Sequence, residues 1–245
     1  MTDKKALATL YVDGEGRPHL DACMAATFEH CRQYKVNAIV IYTWAGEGPV
    51  LALERFLEQP DFAHIRIVAV TPPAQKTYLA DPRAEKSSIV RTGITGERRR
   101  RLTEAGVPIV SARLPFRPVA PDEGLTDPMQ LVDRALGVLG GGLSLCVQAA
   151  LMACDAGAVA HGERIAAMSA DTAVVLVACQ SETFLSPKRG MLVEHIICRP
   201  SLYDISKALH ETTIAAQLAK APPADPQLVE AIDVPALESK KSDED

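Results

Sequence analysis

The sequence predicts an α/β fold built on a mostly parallel sheet, and three observations carry that prediction. Continuous apolar runs such as Ala38-Ile39-Val40-Ile41-Tyr42 alternate with amphipathic helical patterns. A run without polar alternation reads as a strand covered on both faces, as strands of parallel sheets are. Strand–helix–strand units in series then imply right-handed crossovers. Finally, aromatics make up 4% of the chain against 47% apolar residues. The core must therefore lean on Val, Ile, Leu and Ala, which suits strands packed under Ala-rich helices.

Taken in order, Asp21 is placed to cap a helix with Met24, Thr27, Phe28 and Cys31 on one face. Ala38–Tyr42 is the first strand, running into Thr43-Trp44-Ala45-Gly46-Glu47-Gly48-Pro49. Pro49 belongs in the first turn of the next helix, where its missing N–H costs nothing. Val50, Leu53, Phe56 and Leu57 form that helix's buried stripe. Residues 65–70 give a second strand ending at Thr71-Pro72-Pro73, and residues 74–93 read as a loop. A helix follows to about Ala105, with Ile94 and Leu102 on its buried stripe and Arg98 between them. Such an arginine is expected to snorkel at an edge or to pair with an acid across an interface. Residues 107–111 make a third strand, and an irregular proline-rich stretch covers 114–127.

Asp127-Pro128 opens a helix with Met129, Val132 and Leu136 on one face, broken by Gly140-Gly141-Gly142. A strongly apolar helix then runs from about Leu143 to Asp155. Arg164–Met168 and residues 172–179 are strands joined only by Ser169-Ala170-Asp171. Three residues cannot make a parallel crossover, so this pair is expected to be antiparallel. Residues 192–198 form a last strand, stopped by Pro200.

Two regions follow: an α/β domain over 1–200, and a C-terminal helix with an acidic, partly disordered tail over 201–245. Ile205, Leu209 and Leu218 are the main apolar positions of that helix, expected over 203–219. The net charge of −5 sits wholly in residues 201–245, which hold nine acidic and four basic residues. The remaining 22 acidic and 22 basic residues balance. Without a basic excess, nucleic acid is not an expected partner.

No run approaches a membrane span, and the N-terminus lacks the apolar stretch of a signal peptide. The six cysteines form no C-x-x-C pair. Cys146 and Cys154, about 12 Å apart along one helix, are too distant for a disulfide. A reducing cytoplasm is the expected compartment. The triple glycine follows a helix rather than a strand, so it is no dinucleotide fingerprint. Neither a P-loop nor a Gly-x-Ser-x-Gly elbow occurs, and no histidine has metal-ligand spacing.

The segments Ile39–Gly48, Gly140–Gly157, Asp171–Leu176 and Glu194–Pro200 together resemble the stand-alone relatives of the pyruvate kinase C-terminal domain. The resemblance covers most of residues 20–200. It implies a three-layer α/β/α sandwich with strand order 3-2-1-4-5, an antiparallel fifth strand and an extra edge strand. It implies no settled activity or cofactor. In pyruvate kinase the loop after the first strand grips a regulatory sugar phosphate with hydroxyls, backbone N–H groups and a helix N-terminus. The matching loop retains Thr43 and Gly46, but has Ala45 and Gly48 where hydroxyls are preferred. The loop between the fourth and fifth strands has shrunk to Ser169-Ala170-Asp171, and Pro72 and Pro73 stand where histidines are frequent.

The candidate ligand residues are therefore Thr43, Trp44, Ala45, Gly46, Glu47, Gly48 and Thr71. They lie at the carboxyl end of a central strand, where open α/β sheets bind ligands. Free N–H groups there favour an anion, Glu47 opposes one, and Trp44 could stack on a flat ring or fill an interface. Three functions stay open. The first is a small-molecule-binding or regulatory domain for a phosphorylated, heteroaromatic or flavin-like metabolite, assembled as a homo-oligomer. The second is an oligomeric scaffold that has lost the ligand. The third is an enzyme of unknown reaction in the same cleft.

Overall fold

The computed structural model describes residues 6–74, 77–79, 89–116 and 128–203. Their elements, in chain order, begin with β1 (Leu10–Val12), α1 (Leu20–Tyr34), β2 (Ala38–Tyr42), α2 (Glu47–Ala52) and β3 (Arg66–Thr71). Next come β4 (Thr77–Leu79), β5 (Ile89–Arg91), α3 (Gly96–Glu104), β6 (Ile109–Ser111) and α4 (Pro128–Gly137). The series ends with α5 (Gly141–Asp155), β7 (Arg164–Met168), β8 (Ala173–Val177) and β9 (Leu192–Pro200).

Seven strands form one open sheet in the order β1-β9-β8-β7-β2-β3-β6. β2 lies inside it with parallel neighbours on both sides, pairing Val40 with Val68 of β3 and with Ala167 of β7. β8 is antiparallel to both β7 and β9, as the three-residue connection requires. Counted from β2, the parallel strands and β8 realise the order 3-2-1-4-5, and β9 follows as the extra strand.

All five residues of β2 are buried, and their side chains alternate between two cores. Ile39 and Ile41 meet Met24, Phe28 and Cys31 of α1 and Val50 of α2 on one face. Ala38, Val40 and Tyr42 meet Leu143, Cys146, Ala149 and Ala150 of α5 on the other. Each fully covered Ile or Val contributes about 1.5–3 kcal/mol of transfer free energy. The result is three layers, with α1, α2 and α3 on one face and α5, backed by α4, on the other. The scarce aromatics concentrate where α1 meets the turn after α2: Phe28 stacks on Phe56 at 4.5 Å and meets Phe62 edge-on at 5.6 Å.

Four local expectations are corrected. Asp21 does not cap α1. A 3-10 turn at Arg17–His19, with Pro18 in it, runs straight into the helix, so no extended cap residue exists. Asp21 instead accepts a hydrogen bond from Arg55 at 3.0 Å. The stretch 74–93 is not all loop, since β4 and β5 pair there as a separate antiparallel ribbon. β1 adds an unanticipated parallel edge strand on β9, and β9 runs two residues further, to Pro200. β1, β4 and β5 have three residues each, too few positions to show a period. The proline-rich stretch beyond residue 116, the helix expected over 203–219 after its first residue, and the tail lie outside the described residues.

Candidate functional site

The loop after β2 is a tight turn held from inside. Thr43 continues the ladder, its N–H donating to Val70 O at 2.8 Å. Its buried hydroxyl accepts from Gly46 N at 2.9 Å and donates to Glu47 Oε2 at 3.3 Å. Gly46 holds φ at +100°, a left-handed value that glycine tolerates at no steric cost. The Trp44 carbonyl accepts from Thr71 Oγ1 at 3.1 Å and from Gly93 N at 2.8 Å. The Trp44 residue itself is 36% exposed.

Glu47 opens α2 and stands at its first turn, where a negative charge is favoured. Arg98 of α3 donates to Glu47 Oε1 at 2.8 Å and to the Ala45 carbonyl at 3.3 Å. Arg98 thus pairs with an acid of its own chain rather than across an interface. Gly48 is buried where α2 presses on β2 and α1: a Cβ there would lie 3.0 Å from Ile41 Cγ2. The structure therefore gathers Thr43 to Gly48 with Thr71, and it adds Arg98, Gly93 and Ile94 from elsewhere in the chain.

A second polar cluster at the same edge escaped sequence reasoning. Asp171, buried in the β7–β8 turn, accepts from Gly16 N at 2.5 Å, Thr172 Oγ1 at 2.8 Å and Ser169 Oγ at 3.2 Å. Gly142, in the first turn of α5, packs against it so closely that a Cβ would sit 2.6 Å from Asp171 Oδ1. Both turns at the carboxyl ends of β2 and β7 therefore carry a carboxylate supplied by the chain itself. The one sequence signal was Asp171, a charged residue between two apolar runs.

Thiols line the underside of that turn. Cys146 Sγ reaches Thr172 O at 3.4 Å, and Cys198 Sγ reaches Asp171 O at 3.5 Å. Burial, and then the Asp171 charge, pushes the Cys146 thiol well up. The hydrogen bond to Cys198, and then burial, does the same for Cys23. Cys146 and Cys23 therefore stay protonated at neutral pH, which makes them poor nucleophiles and poor metal ligands.

All six cysteines are free. Among the described residues no three His, Cys, Asp or Glu side chains converge into a metal-binding group. No described helix is long and apolar enough to cross a membrane. A groove of about 720 Å³ runs along β6, lined by Ile109, Ser111, Arg113, Met152 and Asp155, and none of its walls comes from the Thr43–Gly48 loop. Comparison with models of known families and with curated proteins gives no match.

Proposed function

We propose that this protein is a small-molecule-binding or regulatory module, and that the carboxyl edge around Thr43–Gly48 takes a phosphorylated or flat heteroaromatic, flavin-like metabolite. The observation that carries the reading is position. β2 has parallel partners on both sides, with α2 leaving on one face and α5 arriving on the other. That is the switch point of an open α/β sheet, where such sheets hold ligands. In this reading Thr43 and Gly46 shape the backbone, Trp44 offers a half-exposed ring, and Arg98 supplies the cation once Glu47 releases it. The resemblance to the pyruvate kinase C-terminal domain points the same way.

Trp44 is the sole tryptophan, so its fluorescence reports on this loop alone. Titration with flavin mononucleotide and with inorganic phosphate should quench or shift that emission, and native mass spectrometry should find a small molecule retained by freshly purified protein. Unchanged emission together with a bare mass would remove the reading.

A second reading, an oligomeric scaffold without ligand, is favoured by one observation. The loop's hydroxyl, its Trp44 carbonyl and its nearest cation are already paired within the chain. A bare mass at twice or more the monomer's 26.3 kDa would support it.

A further inference from the structure

The neighbouring turns at the carboxyl ends of β2 and β7 each hold an anion that the chain itself supplies. Glu47 accepts from the Arg98 guanidinium at 2.8 Å and from the Thr43 hydroxyl at 3.3 Å, with its side chain 17% exposed. Asp171, 7% exposed, accepts from Gly16 N, Thr172 Oγ1 and Ser169 Oγ. Ile41 of β2 lies level with Met168 of β7, so the two turns begin about 4.8 Å apart. A third carboxylate reaches the same edge. Glu15 Oε1 lies 3.9 Å from the point where a Cβ on Gly141 would stand, in the first turn of α5.

The groups that would grip an incoming oxyanion are the ones these carboxylates occupy. The Thr43 hydroxyl accepts from Gly46 N and donates to Glu47, so both of those donors are spent inside the loop. Arg98 spends a further bond on the Ala45 carbonyl. A phosphate entering here must displace a sheltered carboxylate from its cation. It then faces the displaced charge, with Asp171 beside it. Solvent and salt screen such sheltered charges less than surface ones.

Other cations do not compensate. Arg199 stands at the end of β9, three strands or about 14 Å from β2. Its guanidinium lies near the Tyr11 and Tyr203 rings, at 5.8 and 5.2 Å from their centroids. Arg17, next to Gly16, is exposed, where solvent weakens its pull. The Trp44 ring needs no charge in a ligand, since aromatic rings stack through their faces. Its residue is 36% exposed, and its carbonyl is fixed by Thr71 and Gly93.

We propose that Glu47 sets the specificity of this edge: the ligand is an uncharged flat heteroaromatic molecule, and its phosphorylated form is refused. The proposal rests on the reading of the carboxyl edge as a ligand site and narrows it to one of its two ligand classes. Glu47 fills the place of the phosphate and keeps Arg98 engaged, and Asp171 adds a second negative charge next to it.

Riboflavin and flavin mononucleotide share one ring system and differ by a phosphate, so the pair tests refusal directly. Each is titrated with the full chain at low salt and followed by the anisotropy of the flavin's own fluorescence. Riboflavin should bind at least roughly tenfold more tightly than flavin mononucleotide, because like charges are kept apart. About 1 M salt should narrow that gap. Glu47→Gln keeps an oxygen for Arg98 and Thr43 but removes the charge, and should bring the two affinities within about threefold of each other. Glu54→Gln removes a charge from the Arg101–Glu54 pair, further along the same side of the fold, and should leave the ratio unchanged.

Flavin mononucleotide binding as tightly as riboflavin to the unaltered protein would overturn the proposal and leave the ligand site standing. Binding of neither flavin would overturn it too, and a bare native mass beside that result would remove the reading on which it rests. Equal effects of Glu47→Gln and Glu54→Gln would also overturn it, because net charge alone would then set the preference. If Glu47→Gln loosens the fold, the ratio measured on the unaltered protein at low and high salt still decides the question.

Discussion

Glu47 and Arg98 form an ion pair at 2.8 Å that ties the first turn of α2 to the first turn of α3. The pair is largely sheltered, with side chains 17% and 30% exposed, so solvent screens it less than a surface pair. It also places a negative charge where an external anion would otherwise sit. Glu47→Gln should therefore free Arg98 and tighten inorganic phosphate binding by about tenfold, or about 1.4 kcal/mol, in low-salt calorimetry. Arg98→Ala should lower unfolding free energy by about 1–2 kcal/mol, because it strands a sheltered carboxylate. If neither variant changes phosphate affinity, this loop is not an anion site.

Gly46 is strained against replacement in two separable ways. Its φ of +100° disfavours any Cβ, and a Cβ would lie 3.1 Å from Ile94 Cγ2. Gly46→Val should cost about 1–3 kcal/mol of stability in urea unfolding. Any loss of ligand binding in that variant would therefore be mixed with a loss of fold. Adding Ile94→Ala should leave the backbone penalty in place, since only the close approach is relieved. Full recovery in the double variant would show that φ is not the constraint.

These contacts mark how far the sequence could be read. β2 was legible because five consecutive apolar residues admit one reading between two helix patterns. The loop's location followed from that strand, and the anomaly of Arg98 on an apolar stripe was visible too. Its partner was not, because 51 residues separate it from Glu47. The Asp171 cluster was less legible still, since its Gly16 donor is 155 residues away. Local periodicity reports which face a residue occupies. It says nothing about which distant loop the sheet order brings to that face.

Gly142 is fixed by that same distant packing. A Cβ on it would fall within contact distance of Thr172 Oγ1 and 2.6 Å from Asp171 Oδ1. Neither neighbour can swing aside freely, because Thr172 bonds Asp171, which holds Gly16 and Ser169. Gly142→Ala should therefore destabilise by about 3 kcal/mol, although alanine is the better helix former. The exposed Gly141 next to it should accept alanine with little change or a small gain. Similar thermal midpoints for the two variants would show that α5 does not press on the Asp171 turn as described.

The buried thiol of Cys31 gives the fold a dependence on alkaline pH. Burial pushes it from the ordinary 9.0 up to about 12, against a smaller opposing influence of Arg164. In the unfolded chain the thiol loses its proton near pH 9, while in the folded chain it keeps it. Between those values the folded state binds more protons, so stability falls as pH rises. Below about pH 9 the contribution is fully present, and it is lost progressively up to about pH 12. The slope for this one thiol approaches about 1.4 kcal/mol per pH unit once the unfolded form is fully ionised. Other groups also titrate there, so the informative quantity is the difference between the unaltered protein and Cys31→Ala. At neutral pH the variant should be the less stable one, through lost packing at a fully buried site. As pH climbs past 9 that deficit should shrink, because the variant lacks the thiol whose ionisation favours unfolding. Urea unfolding of both proteins from neutral to about pH 10.5 measures this directly, and a deficit that stays constant would show that Cys31 is not held protonated by the fold.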